Sequence, residues 1–123
     1  MLTALAVACA AIDGDTIRCG SERIRLVAID APEMPGHCRP GRDCAPGDPV
    51  ASRDALAVSM QSGPLTIERL SEDRYGRTVA DVYAGGRSLS CAQMSGGFAR
   101  YWARYDEGGR LVAECHALQQ PSR

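Results

Sequence analysis

The chain has 123 residues, a formal net charge of −1, 45% apolar and 24% charged side chains, and no low-complexity tract, which suits one small domain over residues 1–123. The near-neutral balance excludes a wide basic surface, so any nucleic-acid partner has to be held by a local cluster of charge. All 14 basic residues are arginines, the better bidentate phosphate ligands, and six cysteines, an even number, suit disulfides and an oxidising compartment.

Residues 2–12, "LTALAVACAAI", are almost wholly apolar. They are too few to span a bilayer and lack the basic lead-in of a signal peptide, although Ala8-Cys9-Ala10 mimics a cleavage site. Read as a strand, they supply the partner for a hairpin that turns at Asp13-Gly14 and returns through "TIRCG". On this reading the chain is the mature form of an exported protein, secreted or periplasmic, whose leader, if any, has been removed.

A third strand is expected in "ERIRLVAI", residues 22–29, ending where Pro32 and Pro35 stop the ladder. Residues 35–49 form a Pro- and Gly-rich loop holding Cys38 and Cys44. Asp48 can cap a helix with Pro49 at its first position, continuing to Gly63-Pro64. Strands in "LTIERL" and "TVADVYA" flank "SEDRYGR". Ser88 can cap a short helix ended by Gly96-Gly97, "FARYWARY" reads as extended, and "RLVAECHALQQ" as a terminal helix. Three strands, a helix, two strands and late helices point to a mainly β fold with α: a small five-stranded Greek-key barrel with about three helices packed on it.

Four carboxylates fall at turn or strand ends: Asp13, Asp15, Asp30 and Glu33. Such charges repel unless a cation sits among them, and Asp15, Asp30 and a carbonyl near Ala31 could hold Ca²⁺ or Mg²⁺. The spacing is not that of an EF-hand. Solvated acids in two exposed turns are the alternative. Arg25 lies in an otherwise apolar strand, and its odd separation from Asp30 would put the two on opposite faces, although Pro32 bends the chain there. Arg77 ends the charged turn "DRYGR". Two arginines beside a metal-binding carboxylate pair make sense if the ligand is a phosphate.

"IDGDTIR", "RIRLVAIDAPE" and "DRYGRTVADVYAGG", followed by "SLSCAQMSGGFAR" and an aromatic segment, resemble the staphylococcal-type thermonuclease family in order and spacing from about Leu5 to Ala117. The resemblance implies an OB-fold and Ca²⁺-dependent hydrolysis of phosphodiester bonds in DNA and RNA. It implies Asp15 and Asp30 as calcium carboxylates, Ala31 as the carbonyl ligand and Asp13 as an aspartate beside them. It implies Glu33 as the residue that orients or deprotonates water, Arg25 and Arg77 as the phosphate grip, and Tyr75 and Tyr105 as the lining of the nucleotide pocket.

The cysteines depart from that family's cysteine-free archetype. Cys38 and Cys44 suit a local disulfide, with a zinc site at His37 and Cys38 as the competing idea. Cys9 and Cys19 are equidistant from Gly14, so a hairpin would set them opposite one another, and Cys91 would pair with Cys115 by elimination. Buried free thiols are the alternative. Without a wide basic surface, short or single-stranded substrates are expected, with Tyr101, Trp102 and Tyr105 as a stacking platform or, for the first two, as core. A monomer is expected. The competing function is a non-catalytic OB-fold module that binds nucleic acid, and a disulfide-stapled structural domain is a third possibility.

Overall fold

The computed structural model describes residues 8–119, with side chains through residue 115. Residues 2–7 of the expected first strand, and His116, therefore lie outside the described side chains. Eight strands and three helices follow one another: β1 (Cys9–Asp13), β2 (Thr16–Cys19), β3 (Glu22–Leu26), β4 (Ile29–Asp30), α1 (Pro49–Ser59), β5 (Leu65–Glu72), β6 (Thr78–Ala84), β7 (Arg87–Ser88), α2 (Leu89–Ser95), β8 (Arg100–Tyr101) and α3 (Arg110–Gln119). The main sheet runs β1-β2-β3-β6-β5, with β7 added beside β6. Its five-strand path is mixed, because β3 and β6 pair in parallel while the other pairs are antiparallel. Curled, and carrying three helices, this mainly β arrangement with α is OB-fold-like.

Local chemistry accounts for the helix starts. The Asp48 carboxylate accepts from the amides of Val50 (2.9 Å) and Ala51 (3.2 Å), with Pro49 at the first helical position. Ser88 Oγ accepts from Cys91 N at the head of α2. At α3 the cap is Asp106, which accepts from Leu111 N and Val112 N and also takes the Tyr101 hydroxyl. Only Arg100 and Tyr101 of "FARYWARY" are strand, and Ala103–Tyr105 is a 3-10 turn.

The expected third strand is broken in two. Ala28 has φ +56, a left-handed conformation rare for a residue with a Cβ. Two long-range bonds hold it: Val27 N donates to Ala80 O and Trp102 N to Ala28 O. The break resets the side-chain alternation between Arg25 and Asp30, so the odd separation no longer sends them to opposite faces. In β4 and β8, Asp30 pairs with Arg100 and Ile29 with Tyr101.

The core is gathered from the inner face of the sheet (Ile17, Ile24, Leu26, Val82) and from Ile29, Leu56, Leu89 and Leu111, each no more than 1% exposed. The structure joins Cys9 to Cys19, Cys38 to Cys44 and Cys91 to Cys115, the last tying α2 to α3. All six thiols are thus consumed, and the zinc alternative at Cys38 fails for want of a thiolate. Three disulfides suit an oxidising compartment. Among the described residues, no helix is long and apolar enough to cross a membrane.

One polar group of β6 is fully buried. Asp81, fully buried on β6, accepts from Ser88 Oγ (2.9 Å) and Tyr83 Oη (3.0 Å), and the same phenol lies 3.0 Å from Glu114 Oε2 on α3. Burial above all, with repulsion from Glu114, pushes the Asp81 carboxyl up to about 6. The folded chain then holds this proton where the unfolded chain has lost it, so stability falls as pH rises from about 4 to 6. Asp81→Asn is expected to remove that part of the decline, read as urea midpoints across this range.

Candidate active site

The site grows from the hairpin turn. Gly14 and Asp15 connect β1 to β2, and Asp13 Oδ1 accepts from Asp15 N (3.2 Å), an Asx turn that sets the second aspartate's direction. Gly14 is required by close packing. A Cβ there would lie 1.8 Å from Ser52 Oγ and 2.8 Å from Ala31 Cβ. Gln93 Nε2 donates to Gly14 O (2.8 Å) and Ser52 O (2.9 Å), while Ser52 Oγ donates to Phe98 O (2.7 Å). Buried side chains of α1 and α2 thus clamp the turn from beneath.

The Asp15 carboxylate is 8% exposed as a residue and densely partnered. Its Oδ2 accepts from Ala31 N (2.9 Å) and from Arg25 Nη1 (2.8 Å), and its Oδ1 from Thr16 Oγ1 (3.0 Å). Its backbone oxygen accepts from Leu26 N (2.8 Å). Burial opposes the charge, but Arg25, Asp13 and these donors together outweigh it and hold the carboxyl below the usual carboxylate range. Asp13 goes the other way: burial, then hydrogen bonding and repulsion from Asp15, push it up to about 7. The pair thus splits, with the Asp15 carboxyl shifted down and the Asp13 carboxyl shifted up.

The remaining expected residues are each seated by an arginine or an aspartate that the sequence did not single out. Asp30, 3% exposed, takes Arg100 through Nε (3.1 Å) and Nη2 (3.0 Å), both on Oδ2. Arg100 also reaches the backbone oxygen of Asp43 (2.7 Å). Glu33 Oε1 pairs with Arg42 Nη1 at 3.0 Å. Arg42 and Asp43 both lie inside the ring closed by Cys38–Cys44, so this staple constrains the segment that partners Glu33 and Arg100.

Arg77 is held by Asp73 in the turn between β5 and β6. Asp73 Oδ1 accepts from Tyr75 N and Arg77 N (2.9 Å each), and Oδ2 from Arg77 Nε (2.7 Å). These bonds outweigh partial burial and keep the Asp73 carboxyl below its ordinary range. The Arg77 guanidinium lies 5.5 Å from the centre of the Tyr75 ring. Arg25 pairs across β3–β6 with Val79, and Arg77 ends the turn that leads into β6, two residues before Val79. Arg25 also lies 5.8 Å from the Trp102 ring, which meets Tyr105 edge-on at 4.5 Å. Tyr75 and Tyr105 are about half exposed, whereas Tyr101 packs against the core and donates its hydroxyl to Asp106.

Direct contacts therefore join Asp15, Arg25 and Ala31, and Ala31 brings Asp30 beside them in the chain. Glu33 and Arg77 are held by their own partners. Of the residues that sequence reasoning missed, Asp73 had a signal, an Asp three residues before a Gly in a turn. Arg100 had none, lying 70 residues from Asp30. Among the described residues, no three His, Cys, Asp or Glu side chains form one metal-binding group.

Gly14→Ala is expected to cost about 1–3 kcal/mol of unfolding free energy, because the clash with Ser52 and Ala31 must be relieved by moving the turn or α1. Denaturant unfolding of the variant measures it.

A family model described as "Staphylococcal nuclease homologue" matches residues 23–122. The chain is 32% identical over 101 residues to a probable staphylococcal-like nuclease of Oryza sativa subsp. japonica, covering 80% of this chain and 27% of that protein. It is 33% identical over 94 residues to a thermonuclease of Staphylococcus intermedius, covering 72% and 54%. To an endonuclease of Bacillus subtilis (strain 168) it is 29% identical over 121 residues, covering 92% and 55%. The chain thus spans from about a quarter to about half the length of these relatives. With its OB-fold-like sheet and a match across 100 residues, the chain belongs to the staphylococcal nuclease homologue family.

Proposed function

We propose that this protein is a metal-dependent nuclease that hydrolyses phosphodiester bonds in DNA or RNA. The observation that carries the reading is the buried Asp15 carboxylate, ion-paired at 2.8 Å to Arg25, whose strand partner Val79 lies two residues after Arg77. The family match and the nuclease names of the relatives support it. Asp15 and Asp30, with the carbonyl of Ala31, are the residues that would hold the cation, Ca²⁺ in this reading. Carboxylates and a carbonyl are oxygen donors of the type hard divalent cations take with water, and a cation there would share Asp15 and Asp30 with Arg25 and Arg100. Bound there, Ca²⁺ would supply Lewis-acid stabilisation to a phosphate oxygen.

The chain's own groups supply the rest. Attack by water, with loss of its proton, converts a phosphodiester monoanion into a five-coordinate dianion, which collapses by breaking one ester P–O bond to a phosphomonoester and an alcohol protonated by solvent. Arg25 and Arg77 donate to the dianion's non-bridging oxygens, stabilising the added charge more than the ground state. Asp15 and Asp73 keep the two guanidiniums oriented before substrate arrives. Glu33 accepts or orders the proton of the attacking water, and Arg42 fixes its carboxylate at 3.0 Å. Asp13 supports the turn that presents Asp15. Tyr75 and Tyr105, half exposed, offer ring faces to the flanking bases.

The substrate in this reading is single-stranded or short, the enzyme acts as a monomeric single domain, and the disulfides fit an exported protein. Arg25→Ala and Arg77→Ala are each expected to lower turnover by about 10²–10³ while the fold survives, as measured on single-stranded DNA with saturating Ca²⁺. Near-parental turnover in either would overturn these roles. Cleavage should stop on chelation. Activity that persists removes the metal, and binding without cleavage under any divalent ion leaves the non-catalytic OB-fold module.

A further inference from the structure

Outward from Arg25 the same sheet face carries more positive charge than the proposed reaction uses. Arg18 on β2 stands directly opposite Arg23 on β3, and Arg23 lies two residues before Arg25, so all three share the outer face. Ile24 pairs with Thr78, which puts Arg23 beside Arg77 one register step earlier. Arg18, Arg23 and Arg77 therefore make a row across three neighbouring chain segments, about 4.8 Å apart in the hydrogen-bonding direction.

The row is not neutralised evenly. Asp73 compensates Arg77 and Asp15 compensates Arg25. Among the described residues, neither Arg18 nor Arg23 has an ion pair with a carboxylate, and Arg23 donates only to the Tyr75 carbonyl. Both side chains are exposed. A guanidinium has five N–H donors, so nearly all of this pair's capacity faces solvent. Like charges set directly opposite each other across a strand pair destabilise it. An anion between them would remove that cost and use both forks. In a chain of net charge −1, so local a doublet is the kind of cluster that can engage a polyanion.

We infer that Arg18 and Arg23 form a second phosphate-binding subsite, which grips a phosphodiester of single-stranded nucleic acid next to the phosphate held by Arg25 and Arg77. The inference rests on the proposed function for its ligand, and adds that the substrate runs across the sheet from β6 toward β2. A polynucleotide is then held at two phosphates or more, whereas a mononucleotide meets only the first.

The test is fluorescence anisotropy of a labelled 12-nucleotide oligodeoxythymidine at several salt concentrations, with chelator present so that the strand stays intact. Parent, Arg18→Ser, Arg23→Ser, Arg18→Lys and Arg87→Ser are compared. Arg87 is exposed and pairs with Ala84 at the opposite end of β6 from Arg77. Each serine variant at 18 or 23 is expected to flatten the slope of log K against log salt by about 0.7, one phosphate contact on a single strand. Affinity should fall about two- to fivefold, in the range of exposed ion pairs. Arg18→Lys should keep most of the parental slope, and Arg87→Ser all of it. Melting curves that match the parent's exclude unfolding, and Arg18→Ser, which breaks no bond among the described residues, carries the test if Arg23→Ser is unstable.

Parental slopes in both serine variants, or losses equal to that of Arg87→Ser, would overturn the subsite. The parent alone, with Ca²⁺ added to the same oligonucleotide, reads out the nuclease reading separately. Cleavage with unchanged slopes sinks only the subsite. Altered slopes without cleavage sink only the nuclease. A parent that neither binds nor cleaves sinks both.

Discussion

The rest of the site depends on a single negative charge that the fold keeps out of water. Asp15 is buried at the tip of a two-residue turn, where an unpaired carboxylate would be expelled or protonated. It keeps its charge because a guanidinium, a backbone amide and a hydroxyl converge on its two oxygens. Those donors come from β3, from the residue after Asp30 and from β2, so partnering the charge also fixes three segments relative to one another. The carboxyl of Asp13 beside it is pushed up by burial and by Asp15, and Gly14 lets the turn settle onto Ser52 without a side chain in between.

The same principle recurs outward from this centre. Asp30 rests on Arg100, Glu33 on Arg42 and Arg77 on Asp73, so the acids and bases of the site are held in pairs. Pairing offsets part of the cost of taking these charges out of water and fixes their orientation. The Cys38–Cys44 staple serves this arrangement, because it shortens the freedom of the segment that brings Arg42 and Asp43 to their partners. Among the described residues, Arg18 and Arg23 have no such carboxylate partner.

What was legible in the sequence was local. The Asp48-Pro49 and Ser88 caps, the Asp-Gly hairpin and the strand segments in residues 22–29, 65–70 and 78–84 could be read because a few adjacent residues carry each signal. The break at Ala28 could not, since its left-handed backbone is held by Ala80 and Trp102, more than 50 residues away. That break interrupts the alternation on which the parity of Arg25 and Asp30 depends. The parallel pairing of β3 with β6 and the role of Arg100 are likewise products of distant contacts. The aspartates and the two arginines stood out because charge inside strands and tight turns has to be accounted for, whereas their partners are unremarkable surface residues until the chain closes.

The account turns on Asp15 being the group that a divalent cation engages, and calorimetric titration of Ca²⁺ into the parent and into Asp15→Asn addresses that directly. One ion should bind the parent, and the variant, folded by circular dichroism, should show no binding heat at the same concentrations. A variant that takes up Ca²⁺ as the parent does would contradict the account, because the buried carboxylate at the hairpin tip would then have no part in holding the ion.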